Sequence, residues 1–254
     1  MAPARILITG CNRGLGLEFV RQLLELPNPP KQIFATCRDP TSPQNKKLND
    51  LAASHPSVVV IKLEATDPAS VKEASKEVES HLRGSGLNVV INNAGIMPES
   101  TLESADAEDF LHVYNTNVVG PLLVAKALLP FLKKAAEENP KGPLSSNKAA
   151  LINMSTLLGS IEKTPETFFY YPVLSYRCSK AALNMMTHCQ SLGYKKDGIL
   201  CTAFHPGWVQ TDLGGANAPL TADQSVKGMI KVLSCLSEKH NGLLLDWEGN
   251  VVPW

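Results

Sequence analysis

The sequence predicts an α/β fold: a doubly wound, seven-stranded parallel sheet with helices on both faces, forming a single domain over residues 1–254. Three observations predict it. Short runs rich in Val, Ile and Leu alternate with longer stretches of helical periodicity. The runs are apolar throughout rather than alternating, which suits strands buried on both faces. Several of them end in turns of Gly, Asn, Ser and Thr, on the edge where such sheets bind ligands.

The elements follow in order. The first strand is 5–9. Residues 14–26 carry apolar side chains at 15, 17, 19, 20, 23 and 24, the stripe of a buried helix, and Pro27, Pro29 and Pro30 stop it. Strands are expected at 32–36 and at 57–62, the β-branched run SVVVIK. Asp67 caps a helix that opens with Pro68 and ends near Arg83. After strand 87–91 come helices at about 106–118 and 121–138, then the polar loop NPKGPLSSNK and strand 149–154. A long helix at about 174–195, strand 199–204, helix 222–236 and strand 243–245 complete the order. Right-handed crossovers then place helices on both faces. The C-terminal VVPW either tucks against a neighbouring subunit or covers the sheet edge.

Composition narrows the function. Hydrophobic residues make up 44% of the chain, enough for a sizeable core. The 24 basic and 24 acidic residues balance, which argues against a nucleic-acid partner. No apolar run approaches the roughly 20 residues that span a bilayer, and the N-terminus lacks the pattern of a signal peptide. Cysteines at 11, 37, 178, 189, 201 and 235 form no C-x-x-C and no metal spacing, so reduced thiols, a cytoplasmic location and no metal are expected.

The first strand runs into Thr9-Gly10-Cys11-Asn12-Arg13-Gly14-Leu15-Gly16. Glycines between a strand and a helix let the backbone approach a pyrophosphate, and the helix N-terminus supplies free N–H groups. This makes the fold a dinucleotide-binding Rossmann unit, with T-G-x-x-x-G-x-G in place of the G-x-G-x-x-G fingerprint. The second strand leads to Arg38 where readers of NAD place a carboxylate. Arg38 and Arg13 together suit a 2′-phosphate, so NADPH/NADP is the expected cofactor. The alternatives are two solvated arginines, or Asp39 facing the ribose.

Tyr176 and Lys180 lie one helical turn apart in YRCSK. An ammonium so placed stabilises a phenolate and lowers the phenol's pKa, making a general acid. Ser155-Thr156, Asn92-Asn93-Ala94-Gly95 and His205-Pro206-Gly207 each follow a strand, on the same edge. His205 itself reads as a structural turn residue.

On these motifs the chain resembles the short-chain dehydrogenase/reductase family over essentially its full length. The segments are TGCNRGLG (9–16), NNAG (92–95), Asn117 in NTNVVG, Ser155-Thr156, YRCSK (176–180) and HPGWVQT (205–211). Within the family it is most similar to the sniffer-type, C-factor-like carbonyl reductases, on PGWVQT, TCRDP and SKAALNM. The resemblance implies NADPH-dependent reduction of aldehydes, ketones or quinones. Tyr176 would donate the proton, Lys180 would hold the nicotinamide ribose and tune Tyr176, and Asn117 would hold a relay water. Gly10, Asn12, Gly14, Leu15 and Gly16 would cradle the pyrophosphate, with Arg13 and Arg38 at the basic positions of NADP-preferring members. Asn93, Ala94 and Gly95 would pass along the ribose, and Pro206, Gly207, Val209 and Thr211 would flank the carboxamide.

The chain departs from the family pattern at three places. The family's serine is replaced by Thr156 in STLLG, so Thr156 is expected to act, with Ser155 as the second candidate. The stretch 161–172, IEKTPETFFYYP, is longer than usual, and its aromatics either wall the substrate pocket or pack on the body. Glu64 stands where an Asp commonly contacts adenine; it makes that contact, or Ala65 does.

Residues 212–222, rich in Gly, read as a lid. Cys11, near a helix N-terminus, is either a thiol of lowered pKa open to oxidation or structural filler. A small carbonyl compound is the expected partner, together with a second copy of the chain in a homodimer through helices 106–138 and 174–195. Other readings are a dedicated steroid, prostaglandin or pteridine reductase, or a non-catalytic NADP(H) sensor.

Overall fold

The computed structural model describes residues 3–254. Strands β1 (Arg5–Ile8), β2 (Gln32–Cys37), β3 (Val58–Lys62), β4 (Val89–Asn92), β5 (Ala150–Met154), β6 (Leu200–His205), β7 (Leu244–Asp246) and β8 (Val251–Val252) form one sheet in the order β3-β2-β1-β4-β5-β6-β7-β8. The helices are α1 (Gly14–Leu24), α2 (Lys46–Ser54), α3 (Pro68–Leu82), α4 (Ala107–Tyr114), α5 (Gly120–Glu138), the short α6 (Thr164–Thr167), α7 (Leu174–Gly193) and α8 (Ala222–Ser234). All seven expected strands form and pair in parallel.

The sheet has eight strands, however, not seven. Asp246 Oδ1 accepts the N–H groups of Glu248 and Asn250, Gly249 takes a φ of 95°, and the chain reverses so that β8 pairs antiparallel with β7. Two residues after such a turn carry no periodicity to read. Of the two expectations for VVPW, the sheet edge is the one it covers.

Two apolar layers enclose the sheet. Phe19, Val20 and Leu23 of α1 meet Val226, Met229 and Leu233 of α8 over Ile6, Ile8 and Ile33. Val71, Ala74 and Val78 of α3 meet Val124, Leu128 and Leu132 of α5 over Leu7, Phe34 and Val90 on the other side. Alternate residues of β1 thus serve opposite layers, as the period of two requires. Asp67 caps α3 as expected, accepting from Ala69 N–H at 2.9 Å.

The helices differ from expectation in three respects, one of them the short, unexpected α6 within 161–172. The helices expected at 106–118 and 121–138 are one continuous helix, joined by a π turn over Asn115–Val119. The widened turn tolerates the N–H that Pro121 lacks, so the helix runs on. Helix α2, whose sequence is KKLNDLAAS, buries only Leu48 and offers too thin an apolar stripe to read. Among the described residues no helix is long and apolar enough to cross a membrane.

Candidate active site

Strand order reverses at β1, which has β2 on one side and β4 on the other. A crevice therefore opens beyond the carboxyl ends of β1 and β4, where two loops meet. The Thr9 hydroxyl joins them: its Oγ1 accepts Asn93 N–H at 2.9 Å and Ala94 N–H at 3.0 Å. Asn93 Nδ2 donates back to the Thr9 carbonyl at 2.9 Å. Gly10 has a φ of 71°, and a Cβ there would lie 3.2 Å from Ala94 Cα. A Cβ on Gly16 would overlap the Gly10 carbonyl oxygen. Only glycine fits these places, so bare backbone N–H groups line the start of α1, with Asn12 and Leu15 between them.

Further along the crevice, a Cβ on Gly95 would sit 3.1 Å from Asn117 Oδ1 and 3.6 Å from Lys180 Nζ. Loop, π turn and α7 thus converge on one small space. Asn117 is fully buried within the π turn; it donates to Ile96 O at 2.9 Å and Ser179 Oγ at 3.0 Å, and accepts Ile96 N–H at 3.0 Å. Beyond β6, Gly207 takes a φ of 82°, Val209 bridges to Leu220, and the Thr211 methyl lies 3.6 Å from where a Gly14 Cβ would be. Pro206 O accepts from Ser225 Oγ at 2.6 Å. His205 Nδ1 is buried without a partner, and burial lowers the ring's pKa to about 4, which keeps it neutral.

The charged candidates are placed as follows. Arg38 is exposed at the end of β2. Asp39, the rival reader of the ribose, spends its Oδ1 on Thr41 N–H at 3.0 Å and the Thr41 hydroxyl at 2.7 Å, bonds that hold its carboxyl below the usual range. Arg13 pairs with Asp212 at 2.7 Å, a link from the glycine loop to the segment 212–222. Glu64 turns back on its own loop, accepting from Thr66 Oγ1 at 2.9 Å, and Ala65 packs where a Gly120 Cβ would come within 3.2 Å.

Tyr176 and Lys180 lie on the buried face of α7, with Lys180 Nζ 5.6 Å from the Tyr176 ring centroid. Lys180 donates to Met154 O at 2.7 Å, and burial brings its pKa down to about 8. The expected depression of the phenol's pKa is not what the structure gives. Burial pushes Tyr176 upward, because it removes the water that would solvate a phenolate. The phenol keeps its proton, the form an acid needs.

The two strand-end hydroxyls differ in what they bond. Ser155 donates to Asn184 Oδ1 within the interior. Thr156 Oγ1 accepts Leu158 N–H at 3.2 Å, a role that leaves its own proton to donate. Cys11 is buried, donates to Ile8 O at 3.2 Å and has its pKa raised by burial. That overturns the lowered-pKa reading of this thiol: its position near α1 cannot offset the missing solvent.

Sequence reading missed the polar seam that seats α7. Asn92 Nδ2 donates to Asn153 Oδ1 at 2.9 Å, and Asn153 Nδ2 to Thr187 Oγ1 at 2.8 Å and Gln190 Oε1 at 2.9 Å. Asn184 Nδ2 reaches Gly159 O at 3.2 Å. Positions 180, 184, 187 and 190 share one helix face, so this face is polar and inward. Asn153, alone in the apolar run ALINM, was the visible signal, since a mid-strand amide must find partners.

The segment between Thr156 and Tyr176 divides its aromatics. Phe168 lies under Arg177, with 5.9 Å from the guanidinium to the ring centroid, and Tyr171 meets Trp208 edge to face at 5.4 Å. Phe169 and Tyr170 are exposed.

The model of the short chain dehydrogenase family matches residues 4–220. The chain is similar to the NADPH-bound carbonyl reductase from chicken fatty liver, at 52% identity and a TM-score of 0.97, over 100% of this chain and 95% of that one. It is similar to carbonyl reductase Sniffer of D. melanogaster, at 40% identity and a TM-score of 0.95, over 99% and 100%. It is also 35% identical to the C-signal protein of Myxococcus xanthus over 66% of this chain and 93% of that protein. With the family's motifs gathered at one strand edge, the chain belongs to the short-chain dehydrogenase family.

Proposed function

We propose that the protein is an NADPH-dependent oxidoreductase that reduces carbonyl compounds to alcohols. The convergence of Gly95, Asn117 and Lys180 beside a protonated, buried Tyr176 carries this reading. The likeness to two carbonyl reductases, one holding NADPH, supports it. The glycine cradle at 10, 14 and 16 fits a pyrophosphate, and Gly95, closely faced by Asn117 and Lys180, would border a ribose. Gly10, Asn12, Arg13, Gly14, Leu15, Gly16 and Arg38 would hold the phosphates, Glu64 and Ala65 the adenine, and Asn93, Ala94, Gly95 and Lys180 the riboses. Pro206, Gly207, Val209 and Thr211 would border the nicotinamide.

When bound, NADPH would supply the hydride. Tyr176 gives its phenolic proton to the carbonyl oxygen, and the Thr156 hydroxyl donates a hydrogen bond to the same oxygen, favouring the charge that develops there. Asn117, fixed by Ile96 and Ser179, anchors the turn beside Lys180, through which the lost proton is replaced.

The test is NADPH consumption over a panel of aldehydes, ketones and quinones. Tyr176→Phe should cut turnover by about 100-fold or more, the scale of general acid catalysis, while NADPH still binds. A protein that binds NADPH and turns over nothing above this variant is a cofactor sensor, and the reading fails.

Six free cysteines suit the reducing cytoplasm. Leu111 and Tyr114 of α4 and Met185 and Leu192 of α7 are exposed on adjacent helices. A second copy, pairing the same patch with itself, would cover both. Sedimentation as a monomer at micromolar concentration would reject the homodimer.

A further inference from the structure

Arg177 is buried, with 6% of its surface exposed, yet among the described residues it forms no ion pair. A guanidinium so placed carries a desolvation cost that only well-made hydrogen bonds offset. Its bonds all go to one segment. Nε donates to Tyr171 O at 2.8 Å, Nη2 to Thr167 O at 2.7 Å, and Nη1 to Thr167 Oγ1 at 3.0 Å and, longer, to Leu158 O at 3.5 Å. Its plane lies over Phe168. The stretch from 158 to 171 is thereby wrapped on a single side chain, the one that follows Tyr176. At its far end Tyr171 meets Trp208, whose Nε1 donates to Gly214 O at 2.6 Å. A chain of contacts thus runs from Arg177 through Tyr171 and Trp208 to the lid at 212–222.

We propose that Arg177 is a positioning residue for substrate selectivity: it holds the segment 158–171 so that Tyr171 and Trp208 form a fixed aromatic wall over the carbonyl site, selecting flat, bulky carbonyl compounds over small ones. This rests on the reductase reading. Arg177 touches no reacting atom in this account. It acts through the backbone of Thr167 and Tyr171, and among the described residues no other side chain makes hydrogen bonds to both carbonyls. A lysine cannot replace it, because a point ammonium does not span the three directions that the guanidinium fork bonds.

The experiment compares a tricyclic ortho-quinone with 2,3-butanedione in the wild type, Arg177→Lys and Trp208→Ala. Trp208 is partly exposed, so its removal spares the fold if the buried arginine cannot be replaced. Both variants should raise KM for the quinone about 10-fold or more, the effect of losing part of an apolar wall. The butanedione KM should change less than about 3-fold, and kcat should fall little for either. Hydrogen exchange at 161–172 should quicken in Arg177→Lys and much less in Trp208→Ala. Equal KM changes for the two substrates in Trp208→Ala, or unchanged exchange in Arg177→Lys, would overturn the inference and leave the reductase reading standing. A wild type that reduces neither compound nor any other carbonyl, yet binds NADPH, would end both.

Discussion

Lys180 Nζ donates to the carbonyl of Met154 at 2.7 Å, so the ammonium of α7 is fastened to the end of the strand that presents Ser155 and Thr156. Three elements of the candidate site are thus tied together: α7, the end of β5 and, through the hydrogen bond from Asn117 to Ser179, the π turn. The bond also confines a cation in the interior, and burial lowers its pKa to about 8.

The sign of the resulting pH dependence follows. Lys180 folds with a pKa below its unfolded value, so the native chain releases this proton before the unfolded chain does. Its contribution then rises from about pH 8 to about 10.5, by at most about 3 kcal/mol, and is smallest below pH 8. Tyr176, shifted upward, acts in the opposite direction only above about pH 10. Cys11, Cys37 and Cys201, raised by burial, also act in that opposite direction, from about pH 9, and are common to both proteins. In urea unfolding of the cofactor-free protein, the gap between wild type and Lys180→Met should therefore change steadily between about pH 8 and 10. Parallel curves for the two proteins would refute a buried, depressed ammonium.

The two hydroxyls at the end of β5 should separate by phenotype. Ser155→Ala leaves Asn184 Oδ1 unpartnered inside the protein and should cost about 1–3 kcal/mol of stability with kcat largely kept. Thr156→Val keeps the shape, removes the donor and should lower kcat about 100-fold, as loss of one such donor does. Thr156→Ser should restore activity. The reverse pattern, with Ser155→Ala inactive and Thr156→Val active, would transfer the role to Ser155.

Cofactor choice should depend on Arg38 and be tuned by Asp212. Arg38→Asp should weaken NADPH about 10- to 100-fold, the worth of one or two charge-assisted bonds, and leave NADH nearly unaffected. Asp212 competes for Arg13 through an exposed pair, so Asp212→Asn should tighten NADPH by less than about 1 kcal/mol. Titration of both nucleotides with each variant measures this. Equal weakening of NADH and NADPH by Arg38→Asp would remove the 2′-phosphate from its role.

The central strands were legible in the sequence because they are buried on both faces, and burial leaves a solid apolar run. The site edge was legible because a parallel sheet sends all its loops of one kind to one end, so TGCNRGLG, NNAG and the Ser155-Thr156 turn had to meet. What could not be read depends on contacts between distant residues. The inward face of α7 is polar, and Thr187 and Gln190 look like surface residues until Asn153 is placed opposite them. Helix α2 and strand β8 bury too little to leave a pattern. The upward shift of Tyr176 reverses the direction expected from Lys180, because spacing along a helix reveals charge but not solvent.

Thr9 was passed over for the glycines that follow it, and it is the residue that joins the two loops of the crevice. It is 2% exposed, and its hydroxyl oxygen accepts two backbone N–H groups, those of Asn93 and Ala94. Thr9→Val has the same shape but offers no acceptor, so two partly buried donors lose their partner. The loss should amount to about 1–3 kcal/mol for each donor that water cannot reach. Because Asn93 also bonds the Thr9 and Gly10 carbonyls, the displaced loop carries the phosphate cradle with it, and NADPH affinity should fall together with stability. Thr9→Ser keeps the acceptor and should behave as wild type in both. Measuring the thermal midpoint and NADPH affinity for the two variants separates the cases. If Thr9→Val loses neither stability nor affinity, the hydroxyl is not what holds the loops together.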